Sequence, residues 1–239
     1  MKRIKGGFTL IEVSLFLAIT GLLFLGVTIG VQNSIFQQRY NDSVQNFVEF
    51  LRSAYSKTEN VQGTNDGGNT KKAIYGKLIT FGENNSDDIF MYDVIGYAKC
   101  EGSFDATIEA LKDCKAEVIE DGSIIGQAES YNPRWSAAIQ DTNGDLYKGA
   151  ILITRHPQSG TIYTFVMPNN TVEVSQGKGL NKLLDSFSIE SGPVNFCVNP
   201  NGNTKDSGTR ANVRIEQGAR NTSGVEIVPD DDNKCVEKQ

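Results

Sequence analysis

The hydrophobic pattern changes twice along this chain. From Phe8 to Val31 apolar residues run nearly without a break, and Glu12 is the one charged side chain among them. After Val31 polarity rises, and Ile35, Phe36, Tyr40, Val44, Phe47, Val48, Leu51, Ala54 and Tyr55 recur mostly at three- and four-residue steps. That spacing lines one face of a helix, and the stripe reads as core packing. The two patterns together predict one helix ending near Asn60, just before the breaker cluster 62–69, rich in Gly, Asn and Asp. Its apolar part, at about 1.5 Å per residue, is roughly 36 Å long, enough to cross a hydrocarbon core of about 30 Å.

Beyond residue 70 the period shortens toward two. Candidate strands are 73–81, 89–98, 137–140, 149–155, 161–167, 171–174, 194–198, 212–216 and 225–228, separated by turn residues. Segments 103–115 and 179–187 read as short helices. The expected class is α+β: a long N-terminal helix, transmembrane over 8–31 and amphipathic over 32–60, packed on a β-rich antiparallel head over 70–239. At 239 residues the chain has room for one such domain after the apolar segment is set aside.

Composition sharpens this picture. The formal charge is −6, with 23 cationic side chains against 29 acidic ones, which argues against a non-specific grip on nucleic acid or anionic lipid. Four cysteines, Cys100, Cys114, Cys197 and Cys235, fall in no C-x-x-C arrangement, so zinc is disfavoured. They permit three full pairings; nearest-neighbour bridges, 100–114 and 197–235, are the simplest in an oxidising compartment, with four reduced thiols as the alternative.

The N-terminal segment admits three readings. A secretory signal peptide has a basic start and an apolar core, but usually ends in a small-residue cleavage site, which is missing here. A plain anchor explains the length and the leader cations Lys2, Arg3 and Lys5, but neither Gly6 and Gly7 nor Glu12. A carboxylate at the bilayer centre costs about 2.5–3.5 kcal/mol on insertion scales, so Glu12 calls for a partner. The run Gly6-Gly7-Phe8-Thr9-Leu10-Ile11-Glu12-Val13 resembles the processing site of the type IV pilin and pseudopilin superfamily. The resemblance implies a leader, 1–7, removed by a prepilin peptidase between Gly7 and Phe8, with Phe8 then N-methylated. It also implies that Glu12 acts in assembly, its charge met by the new ammonium at Phe8 of a neighbouring subunit inside an apolar filament core.

The resemblance further implies a structural subunit in the bacterial cytoplasmic membrane, single-pass, with its head outside. After extraction it would stand in an extracellular or periplasmic filament, a type IV pilus or a type II secretion pseudopilus. Its partners would be other pilin or pseudopilin subunits, the peptidase, the inner-membrane assembly platform and, before assembly, the lipid bilayer. The superfamily commonly carries a proline late in the apolar span; this chain has none before Pro133, and Gly21, Gly26 and Gly30 take the place of a loosening element.

In the head, the segment from Trp135 to Asp145 resembles a strand-and-turn of the minor pseudopilin branch called H-type or FimT-like, as does the tail from Phe196 to Gly202 and beyond. This favours a minor subunit. Some members of that branch bind DNA through cationic tails, so DNA and surface adhesion are the alternative roles; Lys205, Arg210, Arg214 and Arg220 are the candidate patch, and Asp230, Asp231 and Asp232 weigh against it. Asp141, Asn143 and Asp145 also have the oxygen spacing that opens a calcium loop. The glycine after the third ligand is absent, however, and Leu152 stands where the closing glutamate belongs, so a plain turn is the simpler reading. No cofactor is otherwise expected. Catalysis has little basis: the single histidine, His156, sits before Pro157, and no nucleophile-elbow, zincin or P-loop motif occurs.

Overall fold

The computed structural model describes residues 9–60, 63–64, 72–82, 88–97, 117–119, 129–135, 137–155, 160–168, 187, 192–200, 210–229 and 234–235. The chain divides into two units, Met1–Asp42 and Ser43–Gln239. One element belongs to both, the helix α1 (Leu10–Glu59), and it ends at the breaker cluster as the pattern predicts.

In the first unit α1 carries the apolar run. Leu10, Ile11, Leu15, Phe16, Leu22, Phe24, Ile35 and Phe36 are all exposed there. The stripe read from sequence as core therefore splits: Ile35 and Phe36 lie open, whereas Val44, Phe47, Val48, Leu51, Ala54 and Tyr55 are buried. The globular unit accordingly begins at Ser43, inside the amphipathic segment expected to pack on the head, because the stripe from Val44 onward is part of its core.

The second unit is built on two antiparallel sheets. Among the described residues the larger has seven strands: β1 (Gly63–Thr64), β2 (Lys72–Phe81), β3 (Ile89–Tyr97), β4 (Glu117–Ile119), β5 (Glu129–Tyr131), β7 (Gly149–Arg155) and β8 (Ile162–Pro168). Its order is β4-β3-β2-β7-β8, with β1 also on β2 and β5 also on β3. The smaller, β11-β10-β9-β6, uses β6 (Ala138–Gln140), β9 (Val194–Asn199), β10 (Ala211–Ile215) and β11 (Val225–Val228). An α+β architecture with an antiparallel head is thus what the chain forms. Expected strand 171–174 and helix 103–115 lie outside the described residues, as does 179–187 except for Phe187, which is buried.

Aromatic rings join the layers. Phe47 of α1 meets Phe81 of β2 edge-on at 6.5 Å and Phe196 of β9 at 5.6 Å, while Phe81 and Phe196 stack at 5.4 Å. Tyr147 closes the group at 4.7 Å from Phe196. Such pairs add about 0.5–1.5 kcal/mol each beyond burial of their area. A polar relay runs beside them. Thr164 on β8 donates to the Ala219 carbonyl at 2.9 Å, so its hydroxyl accepts from Tyr55 of α1 at 3.0 Å. Burial pushes the Tyr55 hydroxyl up to about 12.

Two backbone details shape the sheets. Register slips between Ile74 and Gly76 where β2 pairs with β3, and a Cβ at Gly76 would lie 1.9 Å from the Ile153 carbonyl oxygen of the next strand, so only glycine allows that approach. On β11, Arg52 of α1 donates to the Val225 carbonyl through Nη2 at 2.8 Å and Nε at 3.2 Å. The Val225 N–H bonds to Thr222, and Pro229, which has no N–H, follows the strand.

Candidate functional site

The helix N-terminus is where sequence places the chemistry. Gly7 and Phe8 lie outside the described residues, which begin at Thr9. Thr9 and Glu12 then form a reciprocal cap. The Glu12 carboxylate accepts from the Thr9 N–H at 2.9 Å and from its hydroxyl at 3.0 Å, while the Thr9 hydroxyl accepts from the Glu12 N–H at 3.4 Å. This is a capping box, Thr at the N-cap and Glu at the third helical position. The Thr-x-x-Glu spacing was there to be read; sequence reasoning assigned Glu12 an intersubunit partner and missed the intrachain one.

Other polar groups in the span are also satisfied locally. Ser14 donates to Ile11, Thr20 to Phe16 and Thr28 to Phe24, at 3.0, 2.8 and 2.8 Å. Back-bonding of this kind lets hydroxyls reside in an apolar medium without a partner. No heavy atom would meet a Cβ at Gly21, Gly26 or Gly30 within 4 Å. By length and composition α1 is the one helix among the described residues apolar enough to cross a membrane.

The head residues singled out from sequence are not gathered into one site. Asp141, Asn143 and Asp145 do share a turn, but the Asp141 carboxylate is occupied by the chain itself, accepting from the Asn143 N–H at 2.9 Å, the Asp145 N–H at 3.0 Å and the Asn143 amide at 3.1 Å. Gly144 sits at φ 85°, and a Cβ there would lie 2.9 Å from Nη1 of Arg210. A guanidinium therefore packs against the turn where a calcium ion would be expected to draw in oxygens. Among the described residues no three His, Cys, Asp or Glu side chains converge to hold a metal ion.

The candidate cationic patch is also redistributed. Arg210 is buried at 4% exposure. Arg214 is held between two carboxylates, its Nε 2.8 Å from Glu216 and 3.1 Å from Glu226. The bond from Arg214 holds the Glu226 carboxyl below its ordinary range. Only Arg220 of the three is exposed, and Lys205 lies outside the described residues, as do His156 and 230–232. A buried arginine and a paired one look the same as free ones in a sequence, since exposure depends on the register of β10.

Cys197 and Cys235 are joined by a disulfide. Cys197 lies in β9 opposite both Gln140 and Asn212, so the bridge fastens the C-terminal tail to the middle of the smaller sheet. Cys100 and Cys114 are outside the described residues. Comparison with protein-family models, curated proteins and solved structures returns no match for this chain.

Proposed function

We propose that this chain is a structural, minor subunit of a type IV pilus or type II secretion pseudopilus. In this reading residues 1–7 are a leader removed after Gly7, and Phe8 becomes a methylated N-terminus. The observation that carries it is a single arrangement: an exposed apolar helix whose first turn holds one carboxylate, Glu12, directly after Gly6-Gly7-Phe8. A carboxylate there is costly in lipid unless bonded, and Thr9 supplies that bond within the chain. On assembly the ammonium at Phe8 of a neighbouring copy takes Glu12 as its counter-ion, which fixes axial register. The apolar side chains from Leu10 to Val31 serve first as the membrane span and then as the packing core of the filament. The helix is anchored in the cytoplasmic membrane with the head outside it, and the work is mechanical.

The DNA-binding alternative draws no support from Arg210, which is buried, or from Arg214, which is paired, and of the three arginines Arg220 alone is exposed.

The test is the mature N-terminus. Mass spectrometry of the chain expressed with an active prepilin peptidase should find a peptide starting at N-methylated Phe8. Intact Met1 under the same conditions would remove the reading. Glu12→Ala should be cleaved normally yet enter filaments poorly, and normal incorporation of that variant would refute the counter-ion role.

A further inference from the structure

The turn from Asp141 to Asp145 holds a dipeptide with a reactivity of its own. Asn143 is followed by Gly144. An asparagine side chain is open to attack by the backbone nitrogen of the next residue, and the approach is least hindered when that residue has no side chain. The Gly144 nitrogen, having given up its proton, bonds to Cγ of Asn143; the bond from Cγ to Nδ2 breaks, and ammonia leaves with that proton. Water then opens the five-membered ring, giving aspartate at 143 or an isoaspartate whose main chain runs through the side chain. No oxidant or reductant takes part. Asn143 is exposed, so water reaches it.

Attack needs both reacting groups released, and the fold holds both. The Gly144 N–H donates to the Asp141 carbonyl at 3.1 Å. The Asn143 amide donates through Nδ2 to Oδ2 of Asp141 at 3.1 Å, while Oδ1 of the same carboxylate accepts from the Asn143 N–H at 2.9 Å. The loop is also shut at its base. The Asp141 N–H donates to the Asp145 carbonyl at 2.8 Å, Gln140 bridges to Leu146, and the Tyr147 N–H donates to the Ile139 carbonyl at 3.0 Å. We infer that Asn143–Gly144 is a latent deamidation site kept closed by Asp141, whose carbonyl holds the nucleophile and whose carboxylate holds the amide under attack. The oxygen spacing that resembles a calcium loop thus has a use within the chain. The product does not rebuild the lock: a carboxylate at 143 has no proton to donate to Asp141 and repels it.

The full chain in mild detergent, native or unfolded in guanidinium chloride, is incubated in mildly alkaline buffer. The tryptic peptide 135–148, in which Asn143 is the only asparagine, is then followed by mass, and isoaspartate is read with a protein isoaspartate methyltransferase. The same dipeptide at Asn201–Gly202 shows in the unfolded chain that the conditions support the reaction. Releasing two hydrogen bonds before attack should make conversion at Asn143 about ten- to hundredfold slower in the folded chain than in the unfolded one. Equal rates in the two states, or an unfolded chain that keeps Asn143 while Asn201 converts, would overturn the inference. Asp141→Ala, once circular dichroism shows it folded, should convert about tenfold faster than the folded parent; a folded variant as slow as the parent would remove Asp141 from the lock. The comparison of folded and unfolded parent decides the matter if that variant does not fold.

Discussion

Removal of the Tyr55 hydroxyl tests whether the relay from α1 through β8 to Ala219 fastens the layers together. Because Thr164 gives its proton to the Ala219 carbonyl, Tyr55 is the donor to Thr164. Tyr55→Phe deletes one hydrogen bond and leaves the Thr164–Ala219 bond in place, a loss of about 1 kcal/mol. Thr164→Val keeps the shape but leaves two groups unbonded in the interior, the Tyr55 hydroxyl and the Ala219 carbonyl. At about 1–3 kcal/mol for each orphan, this variant should lose roughly 2–6 kcal/mol. The double variant removes the orphaned tyrosine hydroxyl, so it should be more stable than the sum of the singles predicts, by about 1–2 kcal/mol. Urea unfolding of the full chain in mild detergent, followed by Trp135 emission, gives all four stabilities from one reporter in the head. Additive losses within about 0.5 kcal/mol, or a Thr164→Val variant no weaker than Tyr55→Phe, would refute the relay.

Three further outcomes are expected. Burial pushes the hydroxyls of both Tyr55 and Tyr131 up to about 12 from the ordinary value of 10; the folded state therefore holds protons that the unfolded chain releases, and stability is intact below about pH 10 and falls toward pH 12. For Tyr55 the slope is about 1.4 kcal/mol per pH unit, and a urea midpoint flat over that window would contradict it. Cys235→Ser opens a bridge between residues 38 apart in sequence, which by chain entropy should lower stability by about 3–4 kcal/mol; thermal unfolding with and without reductant checks this, since the variant should no longer respond to reduction at this bridge. Gly76→Ala forces a methyl to within 1.9 Å of the Ile153 oxygen, a clash with backbone that should lower stability by about 3 kcal/mol; unchanged urea stability would show that β2 and β7 can separate freely.

The long elements were legible in the sequence because each carries a period of its own. The run 149–155 appears as β7 with the predicted bounds, and 225–228 as β11. The strands β1, β4 and β5 were not foreseen. They are two or three residues long, too short for alternation to register, and they exist because β2 and β3 offer them a partner. β1 even falls in the glycine-rich cluster read as a breaker. The stripe on α1 predicted a face but not where that face meets protein, so Phe36 and Phe47 read alike although one is open and the other sealed. In the same way Trp135 was noticed as the head of a strand, but no sequence pattern announces the φ of 61° at which it stands.

The bond from Arg52 to β11 bears on a hazard faced by any protein that concentrates copies of itself. A sheet edge with open N–H and C=O groups is a template for a second chain, and it becomes more dangerous as copies crowd together. Here a helix side chain occupies the Val225 carbonyl, a turn takes up its N–H, and Pro229 brings no donor to the strand's end. At Val225 this edge of the smaller sheet therefore offers a second chain no open backbone group. If copies assemble through their helices as proposed, crowded heads meet at a strand whose first residue is already closed to pairing.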